Sequence, residues 1–252
     1  LGVLNGELNR EAVFGVDLIG DDPPEESTAG SFVDTRTTAP LFDVLENELA
    51  LHATALAQWQ RRTQFCALCG GSTEFIDAGT CCQCTQCNSK SWPRQDPSII
   101  AVISSRDGER VLLANAKRHP PKFNSILAGF VEAGETFEAA VAREVYEETG
   151  VCVDEGSVKY LGSQPWPFPQ SCMIGFTASA DEHTELRIDE SELVSADWFS
   201  KSDVAKAATV PGATLQAAVA KEALERDPSL KLLIPPKGVI ARRLIDHWLD
   251  GR

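Results

Sequence analysis

The chain has 252 residues, 43% of them hydrophobic and 24% charged, a globular composition that excludes intrinsic disorder and fibrous repeats and supplies one large core or two modest ones. Its 23 Lys and Arg against 37 Asp and Glu leave a net charge of -14, which opposes indiscriminate binding to nucleic acid or anionic membranes and leaves an anionic substrate in need of a metal ion. No apolar run approaches the roughly 18 to 20 residues of a membrane helix.

Residues 1–62 form a first region in which no chemistry is legible, and packing or dimerisation is its expected role. Mixed apolar residues at 12–19 give way to a polar stretch at 20–40 that is expected as a loop or linker. From Leu41 to Trp59, Leu41, Val44, Leu45, Leu49, Leu56 and Trp59 recur near a 3.6-residue period, which predicts a helix with one packed face leading into the next segment. Residue 1 is Leu and Met173 is the single methionine, so the sequence is expected to lack its natural start, with any targeting segment out of view.

Residues 63–95 hold six of the eight cysteines. Cys66 with Cys69 and Cys84 with Cys87 are two C-x2-C pairs 14 residues apart, the spacing of a tetrahedral four-thiolate zinc ribbon. Gly70 and Gly71 permit the tight turn that points backbone N–H groups at sulfur. Cys81 also stands in C-x2-C register with Cys84, so spacing alone leaves Cys81 and Cys84 open as the second knuckle. A closed site with four thiolates has no position for water, so one structural Zn2+ is expected. Cysteines in metal spacing suit a reducing compartment, and an intracellular location is expected: cytoplasm, or an organelle such as a chloroplast or peroxisome if the source is eukaryotic. Between Thr63 and Arg94 the cations are Lys90 and Arg94, too thin a patch for a ribbon that binds nucleic acid. Cys152 and Cys172 read as buried small hydrophobes.

Residues 96–252 mix strand signals at Ile99–Ser104, Val111–Ala114, Tyr160–Ser163 and Met173–Ala178 with a strong helix at Thr136–Glu148, which implies an α/β or α+β domain. On that helix Glu144, Glu147 and Glu148 share one face and repel one another. Clustered carboxylates with oxygen ligands suit hard cations, two or more Mg2+ or Mn2+, which remove the repulsion. Downstream, Ser163-Gln-Pro-Trp-Pro-Phe-Pro-Gln-Ser171 interleaves three prolines with Trp166 and Phe168, predicting a stiff extended loop that can wall a flat ring. Residues 201–230, including Leu215–Leu224, read as an amphipathic helical insertion. Pro235 and Pro236 precede a last helix carrying Ile240, Leu244, Ile245 and Trp248, and both are expected as packing elements.

Gly129, Glu135, Arg143, Glu144, Val145, Glu147, Glu148, Gly150 and Val151 together resemble the Nudix box G-x5-E-x7-R-E-U-x-E-E-x-G-U, U being aliphatic, without a departure. The resemblance implies an αβα sandwich with a mixed β-sheet, and hydrolysis of nucleoside diphosphates linked to another moiety. It also implies metal binding by Glu144, Glu147 and Glu148, and a Glu135–Arg143 pair that holds the loop on the helix. The S-Q-P-W-P-F-P-x-S run resembles the tag of the NADH pyrophosphatase subfamily, whose bacterial members also remove NAD caps from RNA. That likeness spans about Phe65 to Trp248 and favours Cys84 with Cys87 as the second knuckle. It implies substrate contacts at Trp92, Phe130, Gln164, Trp166, Phe168, Ser171, Met173 and Ala241, a further metal or catalytic carboxylate at Glu192, and a homodimer. Lys201–Leu233 is longer than in compact bacterial relatives. The substrate implied is NADH, NAD or the NAD-capped 5' end of RNA, cut to NMN(H) and AMP. The rivals are a broader Nudix pyrophosphatase acting on ADP-ribose, FAD or dinucleoside polyphosphates, and an inactive Nudix domain that binds RNA or protein.

Overall fold

The computed structural model describes residues 2–3, 12–13, 15, 33–211 and 216–251. Most of the stretches expected at 12–19 and 20–40, and Leu215 of the amphipathic insertion, lie outside the described residues. The chain divides into two compact units, one of residues 1–95 with 166–170 and one of residues 96–165 with 171–252. No helix among the described residues is long and apolar enough to cross a membrane.

In the first unit β1 (Gly2–Val3) and β2 (Ala12–Val13) pair antiparallel. A short helix α1 (Thr35–Thr38) leads through a 3-10 turn at Ala39–Leu41 to α2 (Val44–Arg62). The helix expected from Leu41 starts three residues later because Asp43 caps it, its carboxylate accepting from Glu46 N at 2.8 Å. The expected packed face is only half realised. Leu51 and Leu56 are buried, whereas Leu41, Val44 and Leu45 are exposed. The far end of α2 is tied to the ribbon: Trp59 meets Phe75 edge to face at 5.6 Å, and Gln60 Nε2 donates to Gly79 O at 2.8 Å. The ribbon is a three-stranded antiparallel sheet of β3 (Thr73–Ile76), β4 (Cys81–Cys84) and β5 (Lys90–Ser91), with β4 central.

The second unit is built on a sheet of order β11-β7-β6-β10-β9. Its strands are β6 (Asp96–Ser105), β7 (Arg110–Ala116), β8 (Leu127–Phe130), β9 (Lys159–Trp166), β10 (Ser171–Ala180) and β11 (Leu193–Ser200). The sheet is mixed: β6 and β10 run parallel over ten residues, while β7 and β8 share the other edge of β6 antiparallel. Being central, β6 is covered on both faces, which explains its unbroken apolar run Ile99–Ile103, buried throughout. Residues Ile99, Ala101, Ile103, Ile174 and Phe176 join Val141 and Val145 of α3 (Phe137–Thr149) in the main core. On the opposite face a side chain at Gly175 would meet Ile240 and Leu244 of α6 (Ile240–Leu249). Helices on both faces of a mixed sheet make this unit an α/β sandwich. Between β11 and α6 lie α4 (Lys201–Ala207) and α5 (Ala217–Arg226).

Candidate active site

The four sulfurs of Cys66, Cys69, Cys84 and Cys87 lie within 4.8 Å of one another. Cys66 and Cys87 are 3.7 Å apart and Cys69 and Cys84 3.5 Å. A zinc ion with Zn–S bonds of about 2.3 Å needs sulfurs about 3.8 Å apart, so the set fits one tetrahedral Zn2+. The first knuckle turns at Gly70, φ 73, and the second at Asn88, φ 60, and the N–H groups of Leu68, Gln86 and Cys87 each point at a cysteine sulfur at 3.4 Å. The Ser89 hydroxyl, followed by the Leu68 N–H, brings the Cys66 thiol down to about 6, and Ser89 also lowers Cys87. Cys81 is buried outside the group, its thiol donating to Cys82 O at 3.6 Å.

In the second unit α3 carries the box. Thr136 caps its start, accepting from Ala139 N at 3.2 Å, and Gly150 ends it in the left-handed region at φ 75. Arg143 grips Glu135 with two bonds of 2.8 Å, and Glu135 accepts from Glu132 N at 3.0 Å. The same guanidinium donates to Phe130 O at 2.8 Å, so the loop before the helix is bound to it at both ends. Arg143 holds the Glu135 carboxyl at about 2. Gly129 is required for a different reason: a side chain there would collide with the Glu144 carboxylate.

The box carboxylates are unequal. Glu147 is exposed, whereas Glu148 is buried, only 6% exposed. Arg143 Nη1 bonds both Glu144 at 2.9 Å and Glu147 at 3.0 Å. Burial pushes Glu148 up to about 8, with Glu192 and Glu144 adding to the rise and Arg118 opposing it. Burial likewise raises Glu144 despite Arg143. Glu192 reaches this cluster through a loop seated on the C-terminal end of α3. Arg187 N donates to Thr149 O at 2.8 Å, Asp189 N to Glu148 O at 3.0 Å, and Lys117 N to Glu192 O at 3.1 Å. The Arg187 guanidinium lies over the Tyr146 ring at 5.5 Å. Arg118, Arg187 and Asp189 escape sequence reasoning, since isolated loop residues carry no periodic or spacing signal.

The residues expected at the substrate fall in both units. In the second, Phe130, Ser98 and Met173 are register partners in one row across β8, β6 and β10, which points their side chains to one face. Phe130 is exposed, Met173 half-buried, and Ser171, two rows away on the same face and paired with Asp96, is buried. Ala241 is buried in α6. Gln164 spends its amide on backbone, accepting from Ile240 N at 2.7 Å and donating to Gly238 O at 2.9 Å, which fastens the start of α6. In the first unit Trp92 is exposed, and Trp166 meets Phe168 edge to face at 5.2 Å. The expected extended loop at 163–171 is mostly strand: Ser163–Trp166 closes β9, Ser171 opens β10, and residues 167–170 turn between them. The turn is held by Gln58 Nε2 donating to Pro167 O at 2.8 Å.

Residues 94–216 match the NUDIX domain family, and that stretch of the chain is a NUDIX domain. Residues 61–91 match the NADH pyrophosphatase zinc ribbon domain. NAD-capped RNA hydrolase NudC of Mycobacterium bovis is 38% identical over 217 residues, covering 86% of this chain and 64% of the relative. NAD-capped RNA hydrolase NUDT12 of Homo sapiens is 35% identical over 262 aligned residues, 97% of this chain and 53% of the relative. The chain therefore spans between half and two thirds of these curated relatives. Among solved structures, a NUDIX hydrolase from Nitrosomonas europaea superposes with a TM-score of 0.43 at 20% identity, covering 69% of this chain and 99% of that one. The chain thus combines a NUDIX domain with a ribbon of the NADH pyrophosphatase kind.

Proposed function

We propose that this chain is a divalent-metal-dependent diphosphatase. It hydrolyses the pyrophosphate of NADH and NAD to nicotinamide mononucleotide (reduced when NADH is the substrate) and AMP, and by the same cut removes NAD caps from RNA. The observation that carries this is Glu148, buried among Glu144 and Glu192 with its carboxyl raised to about 8, at the end of a box whose loop is locked by Arg143. The names of the relatives point the same way. An all-oxygen donor set with uncompensated negative charge fits Mg2+ or Mn2+ held by Glu144, Glu147, Glu148 and Glu192. Such ions neutralise pyrophosphate charge and make water nucleophilic near neutral pH.

The protein's own groups divide the remaining work. Glu148 or a neighbouring carboxylate takes the proton from the attacking water. Glu135 and Arg143 keep the loop on the helix, and Gly129 gives the Glu144 carboxylate its space. Phe130 and Met173 offer one face of the sheet to a base, and Ser171 stands beside them. Trp92, Trp166 and Phe168 supply further flat surfaces, Gln164 and Ala241 shape the start of α6, and the chain works as a homodimer. The deciding experiment is product analysis after incubation with NADH, NAD and NAD-capped RNA under matched Mg2+ and Mn2+. Release of AMP or of 5'-phosphate RNA together with NMN(H) is expected. Metal-independent turnover, or cleavage of ADP-ribose and FAD in preference to all three, contradicts the proposal.

A further inference from the structure

A groove follows the outer edge of α6. Towards the start of the helix it is a cavity of about 650 Å3 whose wall includes Ser163, Lys237, Arg243 and His247. Towards the end of the helix it is a cavity of about 300 Å3 bordered by Ser104, Lys159, His247 and Trp248. The two meet at His247, one helical turn beyond Arg243 on the same face.

The charge of this groove runs against that of the chain. Although the net charge is -14, the side chains of Lys159, Lys237 and Arg243 make no hydrogen bond or ion pair with any described residue. Asp246 on the wall is neutralised by Arg242, whose Nε donates to it at 2.7 Å, and Asp250 has a partner of its own. The Arg243 guanidinium lies over Gly162, where a side chain would press on it at 3.2 Å. Glycine there leaves room for the cation in the wall.

We infer that this groove is the track for the sugar-phosphate backbone of single-stranded RNA, the body of the capped substrate; this rests on the capped-RNA reading above. Unpaired cations spread along a helix about 15 Å long suit successive phosphates. Contacts to phosphates carry no sequence information, as an enzyme that removes one cap from many RNAs requires. The track also begins in the right place. Ile240 packs on Gly175, and Gly175 lies two residues along β10 from Met173, on the face that carries Phe130. A nucleotide leaving that face meets Lys237 and Arg243 next. An acidic protein segment has the charge for the same wall and is the competing occupant.

The test is fluorescence anisotropy with the full chain, an uncapped 5'-phosphate RNA decamer and a polyglutamate of equal length, each titrated at several KCl concentrations. Lys159→Ala/Lys237→Ala/Arg243→Ala should weaken RNA binding at least tenfold at low salt. It should also flatten the slope of log affinity against log salt by about 2, since each single-strand phosphate contact contributes about 0.7. Hydrolysis of NADH by this variant should stay within about twofold of the parent, while KM for NAD-capped RNA rises about tenfold, the equivalent of ~1.4 kcal/mol. An unchanged RNA affinity and slope, tighter binding of polyglutamate than of RNA, or an equal loss on NADH would each overturn the track. If the triple variant does not fold, Lys159→Gln/Lys237→Gln gives the same decision with an expected slope change near 1.4. Because RNA binding is read without catalysis, a chain that cleaves no NAD derivative refutes the capped-RNA reading while the salt slope still judges the groove.

Discussion

The ribbon gathers four cysteines and the Nudix box gathers glutamates, and they do so in opposite electrostatic conditions. In the ribbon the four sulfurs already stand at tetrahedral spacing, with backbone N–H groups and Ser89 directed at them. In the box Glu144, Glu147, Glu148 and Glu192 are not among the ligand groups that lie within 4.8 Å of one another. The Arg143 guanidinium serves two of these, Glu144 and Glu147, together with Glu135, and Glu148 remains buried and raised. A closed structural site can be completed by the backbone of two turns. The site proposed for exchangeable cations and a pyrophosphate leaves its acids without enough cationic partners, and the surrounding fold bears that cost.

The comparison breaks first at Glu148. Glu148→Gln, and separately Glu147→Gln, should lower turnover by about 10^2- to 10^4-fold while thermal unfolding stays cooperative, because each change removes a proposed ligand and relieves repulsion. Near-native turnover in either variant would dissociate the box from the chemistry. On the ribbon side, Cys66→Ser or Cys87→Ser should cut bound zinc below one per chain and lower the unfolding temperature, since metal binding and folding are linked in such modules. Stoichiometric zinc retained in Cys87→Ser would move that ligand to Cys81 or Cys82.

Gly129→Ala sharpens the contrast by displacing one carboxylate without altering any charge. Its methyl group would occupy the place of the Glu144 carboxylate, so Mn2+ affinity should fall about 10- to 100-fold, the scale seen when groups that orient ligands are lost. An unchanged Mn2+ titration would show that Glu144 is not held where it binds metal. Smaller effects are expected from the rings. Trp92→Ala or Phe130→Ala should remove about 1 to 3 kcal/mol of binding, or roughly 5- to 150-fold in kcat/KM on NADH. A simple nucleoside diphosphate derivative should be affected much less. Equal losses on both substrates would make these rings structural.

The features legible in the sequence are those with a fixed spacing or period. The two cysteine pairs, the box and the strands β6, β7 and β10 all announce themselves in this way. Strands β8 and β11 do not. Leu127–Phe130 is four residues long with a glycine, and its pairing with Ser98–Ala101 is a tertiary event. Leu193–Ser200 alternates poorly and gains its place from a bulged ladder with β7. Glu192 is readable only by resemblance, because it reaches Glu148 through bonds between a loop and the last carbonyls of α3. The proline-rich signature misleads for a similar reason. Its first four residues read as loop, yet they complete an edge strand whose glutamine fastens α6.

The buried, raised carboxyl of Glu148 can be probed most directly by calorimetric titration of Mn2+ into the metal-free Nudix site, repeated in buffers of different ionisation enthalpy. Burial raises the Glu148 carboxyl from an ordinary 4.5 to about 8. In metal-free protein it is therefore mostly protonated at pH 7, and its contribution to stability is lost as pH rises from 4.5 through 8. Binding of a cation to the carboxylate must then release much of a proton at pH 7 and far less at pH 9, and Glu148→Gln should remove that share of the release. Mn2+ binding with no proton release at pH 7, or release undiminished in Glu148→Gln, would contradict a buried, protonated Glu148 at the centre of the site.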